Sequence, residues 1–170
     1  KQLKCRVLIG CSVWQAIRSK VQRKEMVHQH GALISKNKKI VCKGTNHDRN
    51  FCSGKIYGPS FHAEMDAIRK WEAIFLKGKD IKSIEDIRKI AKKFDIYVVR
   101  LSRKHGGYCE SKPCHNCTKV MKQYGFKNIY YSNDSGGFEK FRVRNCDFES
   151  DHLSTAQKRL DKFIEQKNKL

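Results

Sequence analysis

The chain has 170 residues, with 37 lysines and arginines against 17 aspartates and glutamates and a formal net charge of +20. Hydrophobic residues make up 39% and prolines number only two, which excludes a disordered chain and fits a single domain over 1–170 with a real core. No apolar run is long enough for a membrane span or an export signal, so no membrane partner is expected; the charge points instead to a polyanionic one.

In chain order, Leu3, Val7, Cys11, Trp14, Ile17 and Val21 recur at steps of three and four and predict an amphipathic first helix. GALISKNKKIVCKGT predicts a β-hairpin turning at Lys36, Asn37 and Lys38. NHDRNFCSGKIYGPS reads as a polar loop. A helix over 62–76 follows, with Met65, Ile68, Trp71 and Phe75 on one face and Gly78 as its stop. SIEDIRKIAKKF predicts a short helix begun by Ser83, with Asp86 three residues on as an acidic variant of the capping box. DIYVVRL is a strand by its β-branched and aromatic content. PCHNCTKVMKQYG has proline where helices begin and glycine where they end. NIYYS and FEKFRVR are strands joined by NDSGG, and Leu153, Ala156, Leu160 and Phe163 mark a closing helix.

This order predicts an α/β layered domain, a five-stranded mixed sheet flanked by helices. The helix between DIYVVRL and NIYYS makes those two strands parallel. The five-residue NDSGG link suffices only for a hairpin, so the last strand is predicted antiparallel to NIYYS.

Eight cysteines are present, and Cys114 and Cys117 form a tight C-x-x-C. The other six show no disulfide framework, so a reducing compartment, cytoplasm or nucleus, is expected, with these cysteines as small core residues. Cys114 and Cys117 at a helix start project both sulfurs to one side of the first turn, where free N–H groups favour thiolates. His62 and Glu64 raise a different question, because residues two apart on a helix point roughly 200° apart. They converge only if His62 sits at the helix start. A neutral His62 imidazole with the two thiolates gives zinc three ligands and an open fourth position, with Glu64 beside it to handle protons. A closed structural zinc would instead recruit Cys109, Cys52 or His115, and would make the chain a nucleic-acid-binding module. His28, His30, His47 and Cys52 have no standard metal spacing.

With H-x-E in FHAEMDAI followed by P-C-x-x-C in PCHNC, the sequence resembles the zinc-dependent cytidine deaminase superfamily. The resemblance implies that His62, Cys114 and Cys117 bind Zn²⁺ and that Glu64 is the general acid/base. It also implies that Asn46 of KGTN contacts the substrate sugar and that Ala63 contacts the substrate. The implied reaction is hydrolytic conversion of cytosine to uracil in a nucleotide or single-stranded nucleic acid. A free-nucleoside or deoxycytidylate salvage enzyme and an adenine-acting relative are the alternatives. The tRNA adenosine deaminases typically carry glutamate just before P-C, whereas here the sequence is SKPC, with Glu110 three positions before the proline. The predicted final hairpin is similar to those of free-cytidine deaminases and bacterial toxin deaminases. Lys140, Arg142 and Arg144 share one face of the last strand by its period of two and are expected to form a basic strip beside the site. Homo-oligomer formation is left open.

Overall fold

A computed structural model describes residues 29–47, 51–53, 56–58, 61–102, 104 and 106–146, with the single positions 10 and 158. The predicted first and closing helices lie outside the described residues. Strands β1 (Gln29–Lys36) and β2 (Lys39–Thr45) form the expected hairpin. Asn37 and Lys38 at its tip both have positive φ, 49° and 64°, the backbone of a tight two-residue turn matched to strand twist. The segment read as a polar loop instead holds a short antiparallel ribbon, β3 (Phe51–Ser53) with β4 (Ile56–Gly58). Strands of three residues are too short to leave a periodic signal.

Helix α1 (Ala63–Phe75) follows, then α2 (Ile84–Ala91), β5 (Phe94–Leu101), β6 (Tyr108–Cys109), α3 (His115–Tyr124), β7 (Asn128–Ser132) and β8 (Phe138–Arg142). The main sheet runs β2-β1-β5-β7-β8. β5 and β7 are parallel, as the intervening α3 requires, and β8 returns antiparallel to β7. Where five strands are expected there are six: the two-residue β6 pairs with the end of β5. The last strand is shorter than predicted. It ends at Arg142, because Val143 turns inward, 1% exposed, within the 3₁₀ turn Val143–Asn145.

One sheet face carries the helices. Trp71 of α1 is fully buried and meets Phe94 and Phe126 edge-on, with ring centroids 5.5 Å and 5.0 Å away. Leu33, Tyr97, Val99 and Leu101 form a second buried cluster on alternate strand positions. Ser83 caps α2 by accepting the Asp86 N–H. Gly125 ends α3 at φ 75°, a left-handed conformation that glycine adopts without a Cβ clash. Among the described residues no helix is long and apolar enough to cross a membrane.

Candidate active site

Two helix starts face each other. His62 precedes α1 with extended backbone, φ −76° and ψ 151°, so it lies outside the helical 100° rotation and its side chain is free to swing toward α3. Cys114 occupies the same capping position before α3, at φ −69° and ψ 165°, and Cys117 follows in the first turn. The result is a cluster in which His62 Nδ1 lies 3.4 Å from Cys114 Sγ and 3.3 Å from Cys117 Sγ. All three donor atoms lie within 4.8 Å of one another. Tetrahedral zinc with Zn–S of about 2.3 Å and Zn–N of about 2.0 Å requires N···S separations of roughly 3.5 Å, so the donors fit that ion. They form the one such cluster among the described residues, and neither Cys109 nor His115 joins it.

Electrostatics bear the donor marks of a metal site. Burial works against a charged His62, yet the hydrogen bond to Cys114 and that sulfur's negative charge outweigh it and raise the imidazole to about 9. Its hydrogen bond with Cys117 holds Cys114 well below the usual thiol range, against the effect of burial. Cys117 is pushed up by that same bond and by burial. Left to themselves the three groups therefore form an imidazolium, a thiolate and a thiol, with two protons held among donors that a dication would neutralise instead. Glu64, only 4% exposed, hydrogen-bonds to Cys117. Burial raises its proton affinity, with the His62 charge acting the other way.

The local folding of the site rests on residues to which the sequence assigned no part in it. Gly44 of β2 packs against α1 so closely that a Cβ there would lie 2.3 Å from the Ala63 carbonyl oxygen. Asp66 clamps the same junction: its Oδ2 accepts from the Thr45 N–H at 3.0 Å and from Lys70 Nζ at 2.7 Å. His47 pairs with Phe61 through two backbone hydrogen bonds and stacks on its ring, fixing the chain just before His62. On the other side, Ser132 Oγ donates to the Cys109 carbonyl and Ser111 Oγ to the Val98 carbonyl, at 2.7 Å and 3.0 Å. These bonds lay the segment before Pro113 across the ends of β5 and β7 and deliver Cys114 to the cluster. A glycine within the KIVCKGT strand was a readable sign of close backbone approach. Asp66, Ser111 and Ser132 left no sign, since polar residues of their kind populate any surface.

Ala63, fully buried, is the first residue of α1, and Asn46 follows β2, its Oδ1 accepting the His30 N–H at 3.0 Å. Lys140 and Arg142 do share a face of β8, opposite Tyr130 and Asn128 of β7. Arg144 lies beyond the strand. All three line a groove with Lys122 and Gly125, at the C-terminal end of α3, whereas the metal donors stand at its N-terminal end.

In fold the chain is similar to the dCMP deaminase of cyanophage S-TIM5. The apo crystal structure of that enzyme is 22% identical with a TM-score of 0.46, covering 78% of this chain and 83% of that one. Its complex with dCMP and dUMP is 21% identical with a TM-score of 0.42, covering 72% and 77%. A search of curated proteins finds no significant match. A family model described as the cytidine and deoxycytidylate deaminase zinc-binding region matches residues 11–133. That span is most of the chain and contains His62, Glu64, Cys114 and Cys117, and the chain belongs to this zinc-binding deaminase family.

Proposed function

We propose that the protein hydrolyses the exocyclic amine of cytosine, giving uracil, in a nucleotide or a single-stranded nucleic acid. The observation that carries this reading is the convergence of His62, Cys114 and Cys117 from two helix starts beside the buried carboxyl of Glu64. Three donors among the described residues leave the fourth tetrahedral direction for chemistry. Zinc held by them supplies Lewis acidity that brings the pKa of water from ~15.7 toward ~7.

Glu64 does the proton work. Its raised proton affinity brings the carboxyl closer to operating pH, where a group both takes and returns protons efficiently. It accepts a proton from water and passes it to the ring nitrogen, so that the amine-bearing carbon becomes electrophilic; it then takes the water's second proton, from the hydroxyl now bonded to that carbon, and gives it to the departing ammonia. A carbon–oxygen bond forms and the carbon–nitrogen bond breaks; water is consumed and no redox partner is needed. Asn46, its side chain fixed by the His30 N–H, is assigned to the sugar. Ala63, whose N–H lies in the first turn of α1 where no intrahelical acceptor exists, is assigned to the base. The net charge of +20 supports a phosphate-bearing substrate.

The test is ammonia release and uracil formation from cytidine, CMP, dCMP and a cytosine-containing oligonucleotide, with adenosine as comparison. Glu64→Gln should lower turnover by ~10²–10⁴ or more. Formation of no uracil from any of them by the zinc-loaded protein would refute the proposal.

A further inference from the structure

The groove at the far end of α3 has a volume of about 790 Å³. Seven basic side chains line it against one carboxylate, that of Asp95. They are brought together by the fold, not by one run of sequence. Lys92 follows α2, Lys122 lies in the last turn of α3 and Lys127 precedes β7. Lys140 and Arg142 come from β8, Arg144 from the turn after it, and Lys38 from the tip of the first hairpin. Asp95 is already engaged, since its Oδ1 accepts from Asn128 Nδ2 at 2.7 Å. Among the described residues, no ion pair joins Lys38, Lys92, Lys127, Arg142 or Arg144 to a carboxylate. On α2, by contrast, Arg88 pairs with Glu85 and Lys89 with Asp86. Crowded like charges repel one another, and a polyanion relieves that repulsion.

An aromatic ring stands among these cations. Tyr130 lines the groove, one face stacked on Tyr97 at 4.4 Å and 3°, with Lys140 Nζ 5.6 Å from its ring centroid. With Tyr97 on one face and Lys140 over the ring, Tyr130 presents no bare face, so the cations carry the contact: a positively charged groove that tracks the phosphate chain is a means by which unpaired strands are held. The ten residues of α3 place this groove ~15 Å from the metal donors. A nucleotide seated here is therefore not the one undergoing reaction.

We propose that this groove holds the backbone of single-stranded nucleic acid, anchoring a strand remote from the reacting base. The inference rests on the deaminase reading only in making the held strand a substrate.

Binding is read in the zinc-loaded full chain carrying Glu64→Gln, so the result stands whether or not the protein deaminates anything. The probe is a fluorescein-labelled oligodeoxycytidylate of about fifteen nucleotides, within the ~4–16 that small binding folds cover, followed by anisotropy. Log affinity should fall with log salt by about 0.7 per phosphate contacted. Combining Lys92→Gln, Lys127→Gln, Arg142→Gln and Arg144→Gln should flatten that slope by up to about 2.8 and weaken binding about tenfold or more. A control combining Lys77→Gln, Lys79→Gln, Lys82→Gln and Lys104→Gln removes the same charge elsewhere and should bind as the parent does. Zinc content and Tm verify folding. Lys92→Gln and Lys127→Gln singly, each expected to flatten the slope by about 0.7, serve if the fourfold variant does not fold. Equal losses in both fourfold variants, or none in the groove variant, overturn the proposal. Competition by a duplex or by inorganic triphosphate as strong as that by the unlabelled single strand also overturns it.

Discussion

Substituting alanine for Gly44 tests how the fold sets the active site. The added Cβ would lie 2.3 Å from the Ala63 carbonyl oxygen and 2.4 Å from the Ala67 backbone nitrogen. Both belong to the backbone of α1, so neither can rotate away. Ordinary contacts are about 3.5 Å, so β2 and α1 must part by roughly 1 Å. Overpacking of this kind costs ~1–3 kcal/mol, which in a chain of this size lowers Tm by roughly 2–12 °C. The end of α1 carries His62 and Glu64, whereas Cys114 and Cys117 stand on α3. The clash therefore separates the donors across the seam between the helices, and a misplacement of about 1 Å costs ~10²-fold in rate. Gly44→Ala should show a lowered Tm, readier loss of zinc to a chelator, and ~10²-fold slower ammonia release. Gly107→Ala, whose Cβ meets nothing within 4 Å, should match the parent in all three. A Gly44→Ala protein with parental Tm and zinc retention would show that this close approach does not fix His62.

Alanine at His62, Cys114 or Cys117 should abolish or sharply weaken zinc retention, from about one ion per chain by elemental analysis in the parent. Because the donors otherwise hold an imidazolium and a thiol, zinc addition near pH 7 in weak buffer should release about two protons per ion; release of none would contradict the assigned protonation. Burial raises the Glu64 pKa above 4.5, so the ordinary carboxyl contributes stability below that pH and loses it as pH rises toward the folded value. In chelated protein, the Tm of the parent relative to Glu64→Gln should therefore fall as pH rises from about 4.5 to 7, and a constant difference would show that Glu64 is not desolvated. Ser83→Ala removes the α2 cap and should cost about 1 kcal/mol, or ~2–4 °C in Tm, with zinc content unchanged.

The sheet was legible where one chemical signal decided each element. The Lys36-Asn37-Lys38 tip between two strand-like runs gave the first hairpin, the parallel β5 and β7 followed from the helix between them, and the short NDSGG link gave the antiparallel β8. Failures occurred where pairing, not pattern, makes the strand. β3, β4 and β6 have two or three residues each and exist only through their partners. The end of the last strand was missed because Arg142, Val143 and Arg144 continue a period of two, while burial of Val143 bends the chain out of the ladder. At the site, His62 and Cys114 were legible because a capping position frees a side chain from helical geometry. Asp66, Ser111 and Ser132 were not, because a hydrogen bond to a distant backbone leaves no local trace.

In the proposed reaction, the choice of donors also determines what Glu64 does. Two thiolates and one neutral imidazole cancel the charge of a divalent zinc, so the loaded cluster offers the neighbouring carboxylate no net positive charge. Burial at 4% exposure raises the proton affinity of Glu64, and a cluster without net charge would not oppose it. Three neutral imidazoles would leave the metal doubly positive and draw the carboxyl pKa down, yielding a firmly ionised carboxylate in place of a group that takes and returns protons. The capping geometry that brings His62 into reach of both sulfurs also places Glu64, two residues on, in the first turn of α1 against Cys117. In the proposed reaction, metal affinity and proton transfer are thus set by one short stretch, and the packing of Gly44 of β2 on α1, with the hydrogen bond from Thr45 to Asp66, holds that stretch in register with α3.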